Sequence, residues 1–247
     1  MHLRFHAPGL EPGDQSAVLS AEESGHAVRV LRVRPGTEIR VFNGRGYECS
    51  AVVESAVRGV ATVRIVAEVA AQPEPRVAIA LAQAVLKGDR MDEVIRDAVM
   101  LGVREVVPVV SAHAEASLPQ LLEARRHERW QRVAVSSAKQ CGRAVVPVVR
   151  PPAAFGDVVA SAAADLRLLL TEPALSIASR TVEGLASLPC PASAAVLVGP
   201  EGGWDPGEVE AAAAAGWTPL SIGARTLRAD AAASVAIPVL QYLWGDL

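Results

Sequence analysis

The sequence predicts an α/β protein in which a small β-barrel precedes a larger domain built on a mostly parallel sheet. Two observations support this class. Short alternating strands fill the first seventy residues, whereas buried apolar strands alternate with amphipathic helices from residue 77 onwards. The segment between them, 71–76, contains two prolines and no periodicity. We therefore expect domains at 1–70 and 77–247, joined by 71–76 as a linker.

Three strands are predicted in the first part. Residues 37–42 alternate polar and apolar side chains, and the turn signal Asn43-Gly44-Arg45-Gly46 follows directly. Two further runs, 47–53 and 60–66, complete the set. Strands at this spacing favour a small barrel.

The second part begins with a nearly continuous apolar run, 77–86, which is typical of a buried parallel strand. Asp89 is placed to cap the next helix and Gly102 to end it. Between them apolar residues recur at helical spacing, at Met91, Val94, Ile95, Ala98 and Val99. The remaining pattern predicts a helix over 118–137 and strands over 103–110, 166–170, 194–198 and 219–222.

The charge of the chain is mildly negative overall but strongly positive in two places. The formal net charge is −3, which argues against a general nucleic-acid coat. Residues 29–45, however, hold five arginines against Glu38, and residues 125–143 hold six basic residues against Glu128. Such clusters are typical either of a focused RNA-binding surface or of solvated faces, and charge alone does not choose between them.

The cysteines, histidines and apolar runs exclude several classes of site. The three cysteines form no CxxC pair and the five histidines show no ligand spacing, so we expect neither a disulfide framework nor a metal site. The N-terminus shows no signal-peptide pattern, and no apolar run reaches the roughly 20 residues that a membrane span needs. We therefore expect a cytoplasmic protein with no membrane partner.

The strongest local signal is a glycine-rich turn, Gly199-Pro200-Glu201-Gly202-Gly203, which follows a buried strand. A helix begins just after it, with Asp205 as the N-cap, Pro206 in the first position and Glu208 completing a capping box. Glycines let a ligand approach the backbone, and ligands bind at the carboxyl ends of strands in open parallel sheets. The turn lacks the lysine of a phosphate-binding loop. A purely structural tight turn stays open as the alternative.

A second junction combines a strand end with clustered charges. Gly223 ends the strand, and Arg225, Arg228 and Asp230 follow before a helix of small residues. Arginines in this position either pair with carboxylates or hold an anionic substrate, and the spacing does not decide.

Five motifs in their order along the chain resemble those of one enzyme family. Four of them are the segments His26 to Arg32, Leu86 to Arg90, Leu101 to Val103 and Lys139 to Arg143. The fifth combines the glycine-rich turn at 199–203 with the charged junction at 223–230. The set spans nearly the whole chain and is similar to the small-subunit (16S) ribosomal RNA uracil-N3 methyltransferases. That family is part of the knotted methyltransferase superfamily called SPOUT.

The resemblance implies a PUA-like, OB-type β-barrel that grips RNA, followed by a SPOUT α/β domain whose chain end forms a deep trefoil knot. It implies S-adenosyl-L-methionine as the methyl donor, bound in the knot. The implied acceptor is 16S ribosomal RNA, within the assembled small ribosomal subunit. It also implies a homodimer, with RNA reaching across both subunits, and no metal.

Site residues follow from the same resemblance. The cofactor is expected to contact Thr171, Glu172, Leu197, Gly199, Pro200, Glu201, Gly202, Gly203, Ile222, Gly223 and Leu227. RNA contacts are expected at Arg4, His26, Arg29, Arg32, Arg45, Lys87, Lys139, Gln140 and Arg143.

Catalysis is expected to depend on four charged residues. Uracil N3 carries a proton at neutral pH and becomes a good nucleophile once that proton leaves and the ring anion is stabilised. Arg225 or Arg228 can stabilise charge on the uracil oxygens, and Glu201 or Asp230 can assist removal of the proton.

The chain departs from the family pattern in three motifs. Asp97 and Met100 replace Lys and Glu before the second strand, Ala229 and Asp230 replace Thr and Glu, and Lys139 replaces Glu. Two alternatives stay open. One is a knotted RNA ribose 2′-O-methyltransferase, against which the basic barrel and the motifs His26 to Arg32 and Lys139 to Arg143 argue. The other is a non-catalytic RNA-binding factor of ribosome assembly, which the departures at Asp97, Met100 and Ala229 suggest. Binding of the methyl donor distinguishes a working site from a relic.

Overall fold

The computed structural model describes residues 3–57, 59–173 and 179–245. The chain divides into two compact units. The first comprises Met1–Glu74 and Val135–Val146, and the second comprises Pro75–Ala134 and Pro147–Leu247. The first unit thus includes a segment, 135–146, that lies far along the sequence from the rest of it.

The first unit is built on a five-stranded sheet. Its strands are β1 (Arg4–His6), β2 (Ser16–Val18), β3 (Glu38–Phe42), β4 (Glu48–Val57) and β5 (Val60–Val69), in the order β1-β3-β4-β5-β2. β1 pairs with β3 in parallel, and the other neighbours are antiparallel. A short helix α1 (Ala21–Gly25) continues into a π-helical turn, His26–Val30. The three predicted strands are confirmed, but β1 and β2 were missed because three residues are too few to show a period.

The core of the first unit is apolar, but an arginine is enclosed beside it. Phe5, Ile39, Val41 and Val63 are almost fully buried. Arg4 forms a two-pronged ion pair with Glu48, at 2.7 and 3.1 Å. Its guanidinium also donates to the carbonyls of Ala138, Lys139 and Arg143. One side chain therefore ties the 135–146 segment to the sheet.

The second unit contains a parallel seven-stranded sheet. Its strands are β6 (Ala78–Ala84), β7 (Glu105–Val110), β8 (Val148–Val149), β9 (Ala153–Ala154), β10 (Leu166–Leu170), β11 (Ser193–Val198) and β12 (Thr218–Leu220). The strand order is β12-β10-β11-β6-β7-β8, and β9 also pairs with β7. Every pairing is parallel, as the alternation of apolar strands and helices predicted.

The described residues form seven further helices: α2 (Arg90–Met100), α3 (Leu118–Glu123), α4 (Arg126–Cys141), α5 (Phe155–Ser161), α6 (Val182–Ala186), α7 (Pro206–Ala214) and α8 (Ala229–Trp244). α2 buries the five residues that the periodicity selected. α8 packs on α2, where the Ser234 hydroxyl lies 3.1 Å from an Asp97 carboxylate oxygen and Gln241 donates to the Leu101 carbonyl. The trefoil knot stays a prediction, because strand order and pairing do not define how the chain threads.

The prediction of one helix over 118–137 was wrong. The segment is divided between α3 and α4, and Arg125 between them adopts a left-handed conformation with φ of 49°. The break had no sequence signal, because alanine and arginine are both good helix formers and neither marks a turn.

Membrane-spanning helices and clusters of metal-binding side chains are both absent from the described residues. Within 3–57, 59–173 and 179–245, no helix is long and apolar enough to cross a bilayer. The same ranges contain no cluster of three or more His, Cys, Asp or Glu side chains that could hold a metal ion.

Gly102 should be essential for stability. Its φ is +83°, and a Cβ there would lie 2.3 Å from Pro75 Cγ, so Gly102→Ala meets both backbone strain and a clash. We expect a loss of about 2–4 kcal/mol in the free energy of unfolding, measured by urea denaturation.

Gly156 provides the matched control, since it lies in α5 and a Cβ there meets nothing within 4 Å. Gly156→Ala should be neutral or stabilise by up to about 1 kcal/mol. Equal effects of the two substitutions would contradict the strain assigned to Gly102.

Candidate functional site

A cavity of about 440 Å³ lies at the carboxyl ends of β10, β11 and β12. These strands are neighbours in the sheet, so the segments that follow them, 171–173, 199–204 and 221–228, come together at one edge. The first residues of α2 and α8 complete the enclosure. The lining comprises Arg90, Leu170, Thr171, Glu172, Pro173, Val198, Gly199, Pro200, Glu201, Gly203, Trp204, Leu220, Ile222, Arg225, Thr226, Leu227, Arg228, Ala229, Asp230 and Ala232.

The glycine-rich turn is held against the sheet by Trp204. Its indole Nε1 donates to the Leu170 carbonyl at 2.9 Å, and the ring packs on Phe155. A Cβ at Gly199 would lie 3.1 Å from Trp204 Cε2, so glycine lets the indole lie close against the backbone. The turn is therefore packed between the tryptophan and the cavity.

The backbone of Gly203 lies close to Glu172, in the cavity wall formed by the segment after β10. Its φ is +73°, a conformation that favours glycine, and a Cβ there would lie 3.2 Å from the Glu172 carboxylate. Thr171, beside Glu172, shares a hydrogen bond of 2.9 Å with the Ser179 hydroxyl. Glu172 and Gly203 both line the cavity, and glycine at position 203 allows the Glu172 carboxylate to lie this close to the turn.

The start of α7 holds the turn from its other side. The predicted capping box is confirmed: Asp205 accepts from the Gly207 amide at 2.8 Å, and Glu208 accepts from the Asp205 amide at 3.2 Å. Glu208 also accepts from the Ala112 amide at 2.8 Å, and His113 Nδ1 lies 3.0 Å from the Gly203 carbonyl. The turn is thus anchored to the loop after β7, which sequence patterns had not linked to it.

Four charged side chains, Arg90, Glu201, Arg228 and Asp230, form a charged array at the opening of the cavity. One Glu201 oxygen accepts from the Lys87 amide at 3.0 Å and from Arg90 Nη1 at 3.1 Å. One Asp230 oxygen accepts from Arg228 Nη2 at 3.2 Å and lies 4.0 Å from Arg90 Nε. An apolar cavity bordered by paired cations and carboxylates can bind an uncharged ring and stabilise charge that develops on it.

The structure brings together most of the residues that were predicted to act at the site. All four expected catalytic residues, Arg225, Arg228, Glu201 and Asp230, line the cavity. So do eight of the eleven expected cofactor residues: Thr171, Glu172, Gly199, Pro200, Glu201, Gly203, Ile222 and Leu227.

Three expected cofactor residues lie outside the lining. Leu197 is fully buried in β11, and a Cβ at Gly202 would face His113 rather than the cavity. Gly223 has φ of +73°, and a Cβ there would meet nothing within 4 Å.

Arg90 and Trp204 were not among the residues expected to act at the site, although Arg90 lies within the motif Leu86 to Arg90 and Trp204 directly follows the glycine-rich turn. Asp89 was expected to cap α2, yet no cap hydrogen bond forms and its carboxylate instead accepts from Arg129 at 2.8 Å. Asp89 and Asp92 together raise the pKa of Arg129, because their hydrogen bonds favour the charged guanidinium. The signal for Arg90 was a cation in the first turn of a helix, where cations are unfavourable.

The residues expected to contact RNA fall into two groups. Arg29, Arg32, Arg45, Lys87 and Gln140 are exposed, and His26 is half-buried beside Phe5. Arg45 pairs with Glu11 and Lys87 with Glu115. Arg4, Lys139 and Arg143 are largely buried and pair inside the first unit with Glu48, Glu23 and Glu74, respectively. RNA contact by any of the nine stays a prediction, and the exposed group is the better placed for it.

Two family models match the chain. One, described as an RNA methyltransferase domain, matches residues 72–241. The other, described as an RNA methyltransferase PUA domain, matches residues 19–66.

Individual relatives cover nearly the full length. The chain is 30% identical over 230 residues to the ribosomal RNA small subunit methyltransferase E of Synechocystis, covering 93% of this chain and 74% of the relative. It is 29% identical over 244 residues to the protein of the same name from Mycobacterium tuberculosis, covering 95% and 89%.

Solved structures share the whole architecture. A methyltransferase from Legionella pneumophila in complex with the cofactor SAM has a TM-score of 0.89 and 31% identity, covering 98% of each chain. A ribosomal RNA small subunit methyltransferase E from Neisseria gonorrhoeae bound to S-adenosyl methionine has a TM-score of 0.88 and 30% identity, covering 99% of this chain and 98% of that one.

Proposed function

The chain belongs to the RNA methyltransferase family, and we propose that it transfers the methyl group of S-adenosylmethionine to N3 of a specific uridine in 16S ribosomal RNA. The observation that carries the proposal is the cavity at the carboxyl ends of β10, β11 and β12, bordered by the glycine-rich turn and the charged array. Relatives named for small-subunit ribosomal RNA, and similar structures that hold S-adenosylmethionine, support it.

The cavity fits this donor chemically. Its apolar lining from Leu170, Val198, Leu220 and Ile222 suits an adenine ring, and the Glu172 carboxylate can accept hydrogen bonds from ribose hydroxyls. Gly203 lets the Glu172 carboxylate lie close to the turn, where a Cβ would approach it to 3.2 Å. When bound, the donor supplies a methyl group activated by a sulfonium, so the protein mainly has to position the two reactants and exclude water.

The charged residues supply the rest of the chemistry. The N3 proton of uracil must leave, and Asp230 or Glu201 can accept it. The negative charge that then develops on the uracil oxygens is stabilised by Arg225 or Arg228. Arg228 is the N-cap residue of α8, and its side chain is 72% exposed, so an incoming nucleotide can reach it.

RNA binding is assigned mainly to the first unit. We propose that residues 1–70 form the RNA-binding domain, that 77–247 form the methyltransferase domain and that 71–76 link them. The match of residues 19–66 to a PUA domain model and the exposed Arg29, Arg32 and Arg45 support this division. The acceptor is proposed to be RNA within the assembled small subunit, which places the reaction in the cytoplasm.

The decisive experiment is mass spectrometry of 16S ribosomal RNA from a strain that lacks this protein. The proposal expects one N3-methyluridine to disappear and to return on complementation. Loss of a ribose 2′-O-methyl group instead would identify the alternative reaction. An unchanged modification pattern alongside a defect in subunit assembly would indicate a non-catalytic assembly factor.

Substitution of Gly203 should weaken donor binding. Gly203 and Gly223 have the same φ of +73°, but only Gly203 lines the cavity. Gly203→Ala should raise the Kd for S-adenosylmethionine by about tenfold, because the methyl group would push against the Glu172 carboxylate that is proposed to bind the donor's ribose. Calorimetry measures the Kd, and Gly223→Ala, with equal backbone strain, should change it less than threefold. Equal losses in the two variants would mean that strain, not the cavity, causes the effect.

Arg228→Ala should lower methyl transfer by about 10²- to 10³-fold, the cost of losing one preorganised charge-stabilising donor. Donor affinity should hardly change, because the arginine acts on the acceptor. The measurement is incorporation of tritiated methyl into small-subunit particles, with Arg96→Ala on the exposed face of α2 as the control. A loss of donor binding that matches the loss of rate would assign Arg228 to the scaffold and favour Arg225.

We also propose a homodimer formed through α8. Ile237 and Leu240 of this helix are fully buried within the chain. Val235, Val239, Tyr242 and Leu243 instead share one helix face that is exposed or half-buried, and Tyr242 is 72% exposed. An apolar helix face of this kind suits a self-complementary interface.

The dimer should therefore depend on Tyr242. Tyr242→Glu places one charge from each subunit in the interface and should give a monomer at micromolar concentration, measured by light scattering. Leu122→Glu, an equally polar change at an exposed apolar residue of α3, should leave the dimer intact. A Tyr242→Glu protein with an undiminished molecular mass would place the interface elsewhere.

A further inference from the structure

We propose that Arg90 is a positioning residue of the transfer reaction, which holds Glu201 and Asp230 in a fixed arrangement at the opening of the cavity. The inference rests on the proposed function and extends it to a residue outside the four expected to act in catalysis. Arg90 begins α2, Glu201 lies in the glycine-rich turn and Asp230 lies in the first turn of α8. One side chain thus connects three separate walls of the same cavity.

The contacts of Arg90 are directed to both carboxylates. Nη1 donates to Glu201 at 3.1 Å, while Nε lies 4.0 Å from Asp230. The Lys87 amide donates to the same Glu201 oxygen at 3.0 Å, so that oxygen is held from two sides. Asp230 in turn accepts from Arg228 at 3.2 Å, so Arg90 also influences where Arg228 lies.

Stability does not account for this arrangement. The side chains of Arg90, Glu201 and Asp230 are 41%, 24% and 20% exposed, and Arg228 is 72% exposed. Partly exposed ion pairs of this kind contribute little to folding. Arg90 and Arg228 also stand at the starts of α2 and α8, where the helix dipole disfavours cations. Both arginines occupy unfavourable positions beside the same cavity. Their contacts with Glu201 and Asp230 explain these positions better than a contribution to helix stability does.

Loss of Arg90 should therefore affect turnover more than donor binding. Glu201 and Asp230 would lose the cation that they share, and two like charges would remain at the opening of the cavity. Asp230 would keep its bond to Arg228, but the pair would no longer be connected to Glu201 through a shared cation. A misplacement of reacting groups by about 1 Å can cost about 100-fold in rate.

The test compares Arg90→Met, Arg90→Lys and the control Arg96→Met, an exposed arginine of the same helix outside the cavity lining. Single-turnover methyl transfer to small-subunit particles is measured at saturating donor, and calorimetry gives the donor Kd. We expect Arg90→Met to be slower by about 10- to 100-fold with a donor Kd changed less than threefold. Arg90→Lys should recover part of the rate, because it keeps the charge but lacks the forked guanidinium that reaches both carboxylates. Arg96→Met should match the wild type.

A double variant separates positioning from general damage. Arg90→Met combined with Asp230→Asn should be little slower than the slower single variant, because each change already breaks the same arrangement. Losses that multiply would overturn the inference, and so would an Arg90→Met rate equal to that of Arg96→Met.

A final measurement does not depend on turnover. A double-variant cycle of Arg90→Met with Glu201→Gln, followed by urea unfolding at low salt, should show coupling of about threefold in the unfolding constant. Additive effects would show that the two side chains do not act together. A wild-type protein that transfers no methyl group would refute the proposed function, while this cycle would still decide whether Arg90 holds Glu201.

Discussion

Parallel pairing of β10 with both β11 and β12 is the constraint on which the site depends. Leu168 pairs with Val196 on one side and with Thr218 on the other, so the three strands end at the same level. Three chain segments that are distant in sequence must then leave the sheet side by side. Because Leu168, Leu169, Val196 and Leu197 are fully buried, a shift in register would expose apolar surface. The stability of the sheet therefore keeps the cavity walls in place.

Close packing at the glycine-rich turn converts that edge into a binding surface. Trp204 hydrogen-bonds to the end of β10 and lies against Gly199, and Glu208 connects the start of α7 to the loop after β7. These contacts leave the turn with few other conformations. This backbone is already rigid and has glycines where a ligand would come closest to it. It can therefore bind a flat ligand without a large loss of conformational entropy.

Arginine serves two different purposes in this protein, and burial distinguishes them. Arg4, 10% exposed, meets Glu48 and three carbonyls, so its charge is matched inside the first unit. Removal of Glu48 would leave the largely buried Arg4 guanidinium without its carboxylate, which is strongly destabilising. Arg90 and Arg228 instead stay partly exposed beside a cavity, where they contribute little to folding and can meet a substrate. All three residues are arginines. The extent of their burial distinguishes the structural role of Arg4 from the chemical role proposed for Arg90 and Arg228.

The sequence by itself determined those features that depend on neighbours along the chain. Burial on both faces makes β11 a nearly continuous apolar run, and local hydrogen bonds place the capping box at Asp205 and Glu208. The glycine-rich turn and the four charged catalytic candidates were identified from the same local patterns and from family resemblance. Tertiary structure alone decided which distant groups meet. The bond from Arg90 to Glu201 spans 111 positions, and the contacts of Arg4 with the 135–146 segment span up to 139. No periodicity encodes such contacts, because they result from strand order and packing rather than from the spacing of residues along one element.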